Sequence, residues 1–158
     1  MPLRCLSLDT ANFSEVKWED FLNSVPDLEE LHIGLQHLEP QHFQLFASRL
    51  PKLRLLCFGI VDIGDVNESS ERASQRIVPR PVILRGHAYF GPLPLQSSNA
   101  YNPPSAESIS NAARYILSIW SNATCEIYKA AWGAICTPDE ATVTRLNAAM
   151  QSLRAMNS

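Results

Sequence analysis

Four cysteines (Cys5, Cys57, Cys125 and Cys136) and four histidines are the residues of this 158-residue chain best suited to nucleophilic or metal chemistry. A cysteine nucleophile needs a positioned base, a group that orients the base, and an oxyanion hole inside a cleft. A structural zinc ion draws on thiolates and imidazoles paired at short range. Here no two cysteines form CxxC and no histidine pair stands beside them at usable spacing, so the spacing lends a zinc site no support. No nucleophile elbow links serine with histidine and aspartate, and neither GxxxxGK(S/T) nor GxGxxG is present to cradle phosphate. We therefore expect no cofactor, no metal and four free thiols.

The elements that would position these residues come from an internal repeat. Leu3-Arg4-Cys5-Leu6-Ser7-Leu8 recurs as Leu28-Glu29-Glu30-Leu31-His32-Ile33 and again as Leu53-Arg54-Leu55-Leu56-Cys57-Phe58, 25 residues apart each time. A proline stands one or two residues before each block, as Pro2, Pro26 and Pro51. Both the period and the LxxLxL form belong to leucine-rich repeats. In such a block the last four residues make a short strand whose fourth and sixth positions point to one side. Leu6 and Leu8, Leu31 and Ile33, and Leu56 and Phe58 then share one interior.

Between the first two blocks, residues 14–25 put Val16, Phe21, Leu22 and Val25 on a helical face with Trp18 alongside, and Ser14 suits the N-cap. Between the next two, Pro40 opens a helix with Phe43, Phe46, Ala47 and Leu50 on one face. Strand, helical return and parallel strand predict an α/β leucine-rich-repeat solenoid, a short parallel sheet with helices on its outer face.

Residues 1–63 carry these repeats. From 64 to 104 the register is lost among Pro79, Pro81, Pro92, Pro94, Pro103 and Pro104, a composition that predicts a loop or linker, with a short extended piece at Pro81–Leu84 able to add a strand. Residues 105–158 read as part of the same domain. Ile109, Ala112, Ala113, Ile116, Leu117 and Trp120 make one side of a helix, and Thr124–Tyr128 alternates like a strand, together a degenerate repeat. Thr137-Pro138-Asp139-Glu140 is a helix start, and the helix to about Met156, with Val143, Leu146, Met150 and Leu153 as its apolar stripe, is expected to cap the solenoid at its C-terminal end.

The segment PDLEELHIGLQHLEPQHFQLFASRLPKLRLLCF resembles the C-terminal repeats of fungal F-box proteins with leucine-rich repeats, and ILSIWSNATCEI resembles the same family's helix-to-strand junction, where an aromatic residue closes the helix. The likeness covers roughly residues 1–60 and, more loosely, 105–156. It implies target binding by the repeats, the substrate-recognition part of a cullin-type ubiquitin ligase. No segment of the chain resembles an F-box, so docking of a Skp-type adaptor is implied only if an F-box lies outside it.

The outward strand positions would be Arg4, Cys5, Ser7 and Asp9; Glu29, Glu30, His32 and Gly34; and Arg54, Leu55, Cys57 and Gly59. We expect a protein partner on this concave face, with Arg4, Ser7, Asp9, Glu29, Glu30, His32, Arg54, Leu55 and Cys57 in contact and the Glu29, Glu30, His32 and Arg54 group at its centre. Two other readings stand beside it. His32 and Cys57 fall on adjacent strands, which suggests a cysteine-dependent enzyme, although an open sheet face supplies no cleft; the third reading is a truncated, non-functional gene fragment. A net charge of −3 gives no reason to expect nucleic acid or an anionic membrane. With no apolar run of spanning length and no secretory signal, the chain is expected to be intracellular, cytoplasmic or nuclear, so glycosylation-type matches at Asn12, Asn67 and Asn122 are expected to stay bare. The first repeat is expected to lack a cap over Leu3, Leu6 and Leu8, which predicts self-association, marginal stability or a longer parent protein.

Overall fold

A computed structural model describes residues 2–8, 18–62, 80–89, 104–126 and 140–157. In chain order the elements are β1 (Cys5–Leu8), α1 (Trp18–Ser24), β2 (Glu30–Leu38), α2 (Pro40–Arg49), β3 (Leu55–Asp62), β4 (Pro81–Tyr89), α3 (Ala106–Ile119), β5 (Asn122–Glu126) and α4 (Glu140–Met156). The protein is α/β. Its strands form one parallel sheet in the order β1-β2-β3-β4-β5, so each strand lies beside its neighbours in the sequence.

The 25-residue period is the register of the first three strands. Leu6, Leu31 and Leu56 are aligned partners, as are Leu8, Ile33 and Phe58. Alternation along a strand sends these residues to one face, where they meet the helices. Leu22 of α1, Phe43 and Phe46 of α2, and Ile109, Ala112, Ala113 and Ile116 of α3 join Leu31, Ile33, Leu56, Val82, Leu84 and Ala123 of the strands in a single buried cluster. Aromatic contacts bind the layers: the Phe43 ring lies 5.5 Å from that of Phe58 and 5.6 Å from that of Trp120, and Trp18 meets Phe46 edge-on at 5.4 Å. The Tyr115 hydroxyl on α3 donates to the Pro40 carbonyl at the start of α2, 2.5 Å away.

Helix ends follow the local sequence. Pro40 occupies the first turn of α2, where no partner is needed for a backbone N–H, and the Glu39 N–H donates to His42 Nδ1 at 3.0 Å. Ser105 caps α3 by accepting from the Ser108 N–H at 3.0 Å, and Trp120 closes it by donating its N–H to the Ile116 carbonyl at 2.8 Å. The apolar stripe of α4 is buried at Val143, Leu146 and Met150 and half-buried at Leu153. Asp9, Ser14, Val16, Ile127, Tyr128 and Cys136 to Asp139 lie outside the described residues.

Two expectations need correction. Residues 64–104 are not simply a loop or linker, since β4 lies within them and sits inside the sheet, paired with β3 and β5 on either side. It also extends to Tyr89, five residues past the short piece expected at Pro81–Leu84. The strand after α3 begins at Asn122 rather than Thr124. Partners of β4 are offset by 28 residues from β3 (Leu55 to Ile83) and by 41 from β5 (Pro81 to Asn122), which is why a fixed period could not find them.

The two sheet edges differ. Along β5, Asn147 of α4 uses its carboxamide as a strand would: Oδ1 accepts from the Cys125 N–H at 3.0 Å and Nδ2 donates to the Cys125 carbonyl at 2.9 Å. Arg154 continues the cover, its Nε donating to the Ser121 carbonyl at 2.8 Å and its Nη2 to that of Ala123. An edge strand's backbone groups otherwise stand ready to pair with another chain. At the opposite edge, β1 pairs with β2, and Leu3 just before it is 48% exposed. No described helix is long and apolar enough to cross a membrane.

Gly86 is aligned with Phe58, and a Cβ placed there would overlap the Phe58 ring and stand 2.7 Å from its carbonyl oxygen. Gly86→Ala should therefore cost about 1–3 kcal/mol of stability as the Phe43, Phe58 and Trp120 rings are displaced, seen as a lower urea midpoint at unchanged slope. Asn147→Ala should cost about 1–3 kcal/mol by orphaning both Cys125 backbone groups, with amide exchange accelerated at Cys125 well before the sheet interior.

Candidate functional site

Alternation that sends leucines to the helices sends the intervening residues to the second face. Register places them in two rows across the sheet: Cys5, Glu30, Leu55, Ile83 and Thr124, and then Ser7, His32, Cys57, Arg85 and Glu126. Cys57 shows the division of faces well. It is only 5% exposed, yet it stands outside the single apolar cluster that the helices cover.

At the strand entrances stand Arg4, Glu29 and Arg54, the Glu29 N–H donating to the Arg4 carbonyl and the Arg54 N–H to that of Glu29. The Glu29 carboxylate lies between the two guanidiniums, 3.6 Å from Arg4 and 3.9 Å from Arg54. Both arginines are more than two thirds exposed, so these long contacts hold little energy and leave most of each guanidinium facing solvent. At the far side Arg85 binds Glu126 more closely, Nε at 3.0 Å and Nη2 at 2.6 Å from the same oxygen.

Of the expected contact residues, Arg4, Ser7, Glu29, Glu30, His32, Arg54, Leu55 and Cys57 thus come together at the strand entrances and in these rows, and Asp9 lies outside the described residues. The sequence reading missed Ile83, Arg85, Thr124 and Glu126. Their signal was faint: Leu84-Arg85-Gly86 has the inward leucine and outward residue of a repeat but ends in glycine where the others end in a large apolar residue.

His32 and Cys57 are aligned neighbours, as expected. Burial nevertheless pushes the Cys57 thiol up, and the Glu30, Glu126 and Cys5 charges act in the same direction, against the opposing pull of Arg85. An activated cysteine needs the reverse. Cys125, behind the Asn147 cap, is pushed up to about 12 by burial, despite the nearby Arg154 charge.

A second grouping on this face joins three side chains of metal-ligand type. Ligand atoms of Cys5, Glu30 and His32 all lie within 4.8 Å of one another. Desolvation, the Glu30 charge and a hydrogen bond to the Glu30 carboxylate raise the Cys5 thiol. His32 Nε2 stands 4.0 Å from Glu30 Oε2, too far for a hydrogen bond, and among the described residues it is the one buried side-chain polar atom without a hydrogen-bond partner.

Comparison with protein-family models, curated proteins and solved structures finds no match.

Site-resolved alkylation will separate the three described thiols: of these Cys5 should react first, Cys57 slowly and with a rate that rises only above the ordinary thiol range, and Cys125 not at all until the protein unfolds. Fast labelling of Cys57 near neutral pH would mean that burial does not govern its reactivity and would reopen the nucleophile reading.

Proposed function

We propose that the chain is a protein-recognition module of leucine-rich-repeat type, which holds a partner protein on the strand face opposite the helices. The observation that carries this is the pair of residue rows running across five parallel strands, with charged, polar and apolar side chains side by side and the Arg4, Glu29 and Arg54 set along one margin. A parallel sheet normally hides both faces under helices. Here the described helices share one cluster with one face only.

The repeat reading has further support in the strictly sequential strand order and in the period that sets the register of β1, β2 and β3. The resemblance to F-box proteins of the leucine-rich-repeat kind suggests that the partner is a target to be delivered for ubiquitin transfer. Glu29, Glu30, His32 and Arg54 form the centre of the contact in this reading. Arg85 and Glu126 extend it toward β5, where two charges already satisfy each other and add shape more than binding energy.

Charge complementarity across such a surface sets partner choice and association rate. Exchanging the signs with Glu30→Lys and Arg54→Glu should leave the fold intact, because both side chains are exposed. Partners retained by the native chain from cell extract should be lost by the exchanged one, and the Kd of each should weaken at least about tenfold, ~1.4 kcal/mol. Identical sets of retained proteins with equal affinities would remove this face from consideration.

A further inference from the structure

We infer that Cys5, Glu30 and His32 form a binding site for one divalent transition-metal ion of the zinc class. The proposal is independent of the docking reading, although the two share a face.

The donor set points to the class of ion. One thiol sulfur, one imidazole nitrogen and one carboxylate oxygen are each zinc ligands, and the combination of soft and borderline donors disfavours magnesium and calcium, which take oxygen. The geometry is close to what the ion requires. Bond lengths of about 2.0–2.3 Å at a tetrahedral centre put ligand atoms roughly 3.3–3.8 Å apart, and these three already lie within 4.8 Å of one another. Cys5 and Glu30 are exposed and not held by packing, so small side-chain rotations that exchange the Cys5–Glu30 hydrogen bond for bonds to the ion close the gap.

A second, independent observation is the orphaned imidazole nitrogen. A buried nitrogen with no hydrogen-bond partner is costly, and His32 Nε2 is such an atom on the side that faces Glu30. A metal ion would satisfy it and would also offset the Glu30 charge. On coordination the Cys5 thiol gives up its proton to solvent, and the sulfur, nitrogen and oxygen each donate a lone pair. Three protein ligands leave a fourth position for water or for a side chain of a bound protein. Neighbouring strands supply the ligands, Cys5 and Glu30 being aligned partners and His32 lying two residues beyond Glu30, so no short-range sequence motif announces them.

The test uses the full chain with reduced thiols, titrated with Zn2+ by calorimetry and with Co2+ as a spectroscopic probe. One ion per chain should bind, the Co2+ form should show thiolate-to-metal charge transfer, and a large excess of Mg2+ or Ca2+ should not compete. Cys5→Ser, Glu30→Gln and His32→Gln should each weaken Zn2+ at least about tenfold, given that losing even an outer-shell partner costs about 10–100-fold. Glu107→Gln, at an exposed acidic position on α3, should bind as the native protein does. Absence of saturable Zn2+ binding, a Co2+ spectrum without a thiolate band, or a band that survives Cys5→Ser would each overturn the assignment. The Co2+ spectrum is taken on the native chain, so it decides the matter even if a variant misfolds.

Discussion

The structure depends on one requirement: the leucines aligned between strands must be covered on a single side. Leu31 and Leu56 are fully buried and Leu84 nearly so, and each contributes about 1.5–3 kcal/mol only because a helix lies over it. One strand with its helix could not supply this against the backbone entropy of ordering some 25 residues at about 1–2 kcal/mol each. Stacking makes each unit's covering helices and strands serve its neighbours, and Phe43 shows how: it belongs to α2, yet touches Phe58 of β3 and Trp120 at the end of α3. The character of the second face follows. Once alternate residues are committed to the helices, the rest are arranged in rows by the same register, whether or not a partner exists for them.

β1, β2 and β3 were legible because three blocks repeat their leucines at one interval, and that interval is the strand register. Beyond them legibility failed for specific reasons. In β4 the inward residues are Val82 and Leu84, so the strand alternates plainly from its first residues and lacks the buried leading leucine that Leu28 and Leu53 provide. Gly86 then takes the place of a large apolar residue, since the Phe58 ring already fills that space. β5 goes further, with Ala123 and Cys125 where leucines stood. The unequal offsets of 28 and 41 residues hid what remained of the pattern. α4 was readable as a helix from its start signal and stripe, but its most consequential residue, Asn147, lies outside the stripe and carries no signature for the bonds it makes.

Those bonds cover the outer edge of β5, the last strand among the described residues. Ala123 and Cys125 leave little side-chain bulk at the last strand, which lets α4 approach closely enough for a carboxamide and a guanidinium to reach the backbone. Small size, an apparent weakness when β5 is compared with the leucine blocks, is thus what closes this edge.

The chemistry on the second face obeys the same geometry. Strands in a sheet stand about 4.8 Å apart, and residues two apart on one strand are separated by about 6.6 Å. Neighbours across strands are therefore closer than neighbours along one, and side chains as long as glutamate and histidine bridge the second gap easily. That lattice brings His32 beside Cys57 and also brings Cys5, Glu30 and His32 into a triangle, so adjacency alone cannot distinguish a reactive pair from a ligand set. Electrostatics can. Proton abstraction from Cys57 would add a negative charge, on a buried sulfur, to those of Glu30 and Glu126, which is opposed by both desolvation and charge. A dication placed among Cys5, Glu30 and His32 would instead be attracted by the Glu30 carboxylate, one of the charges that oppose a Cys57 thiolate.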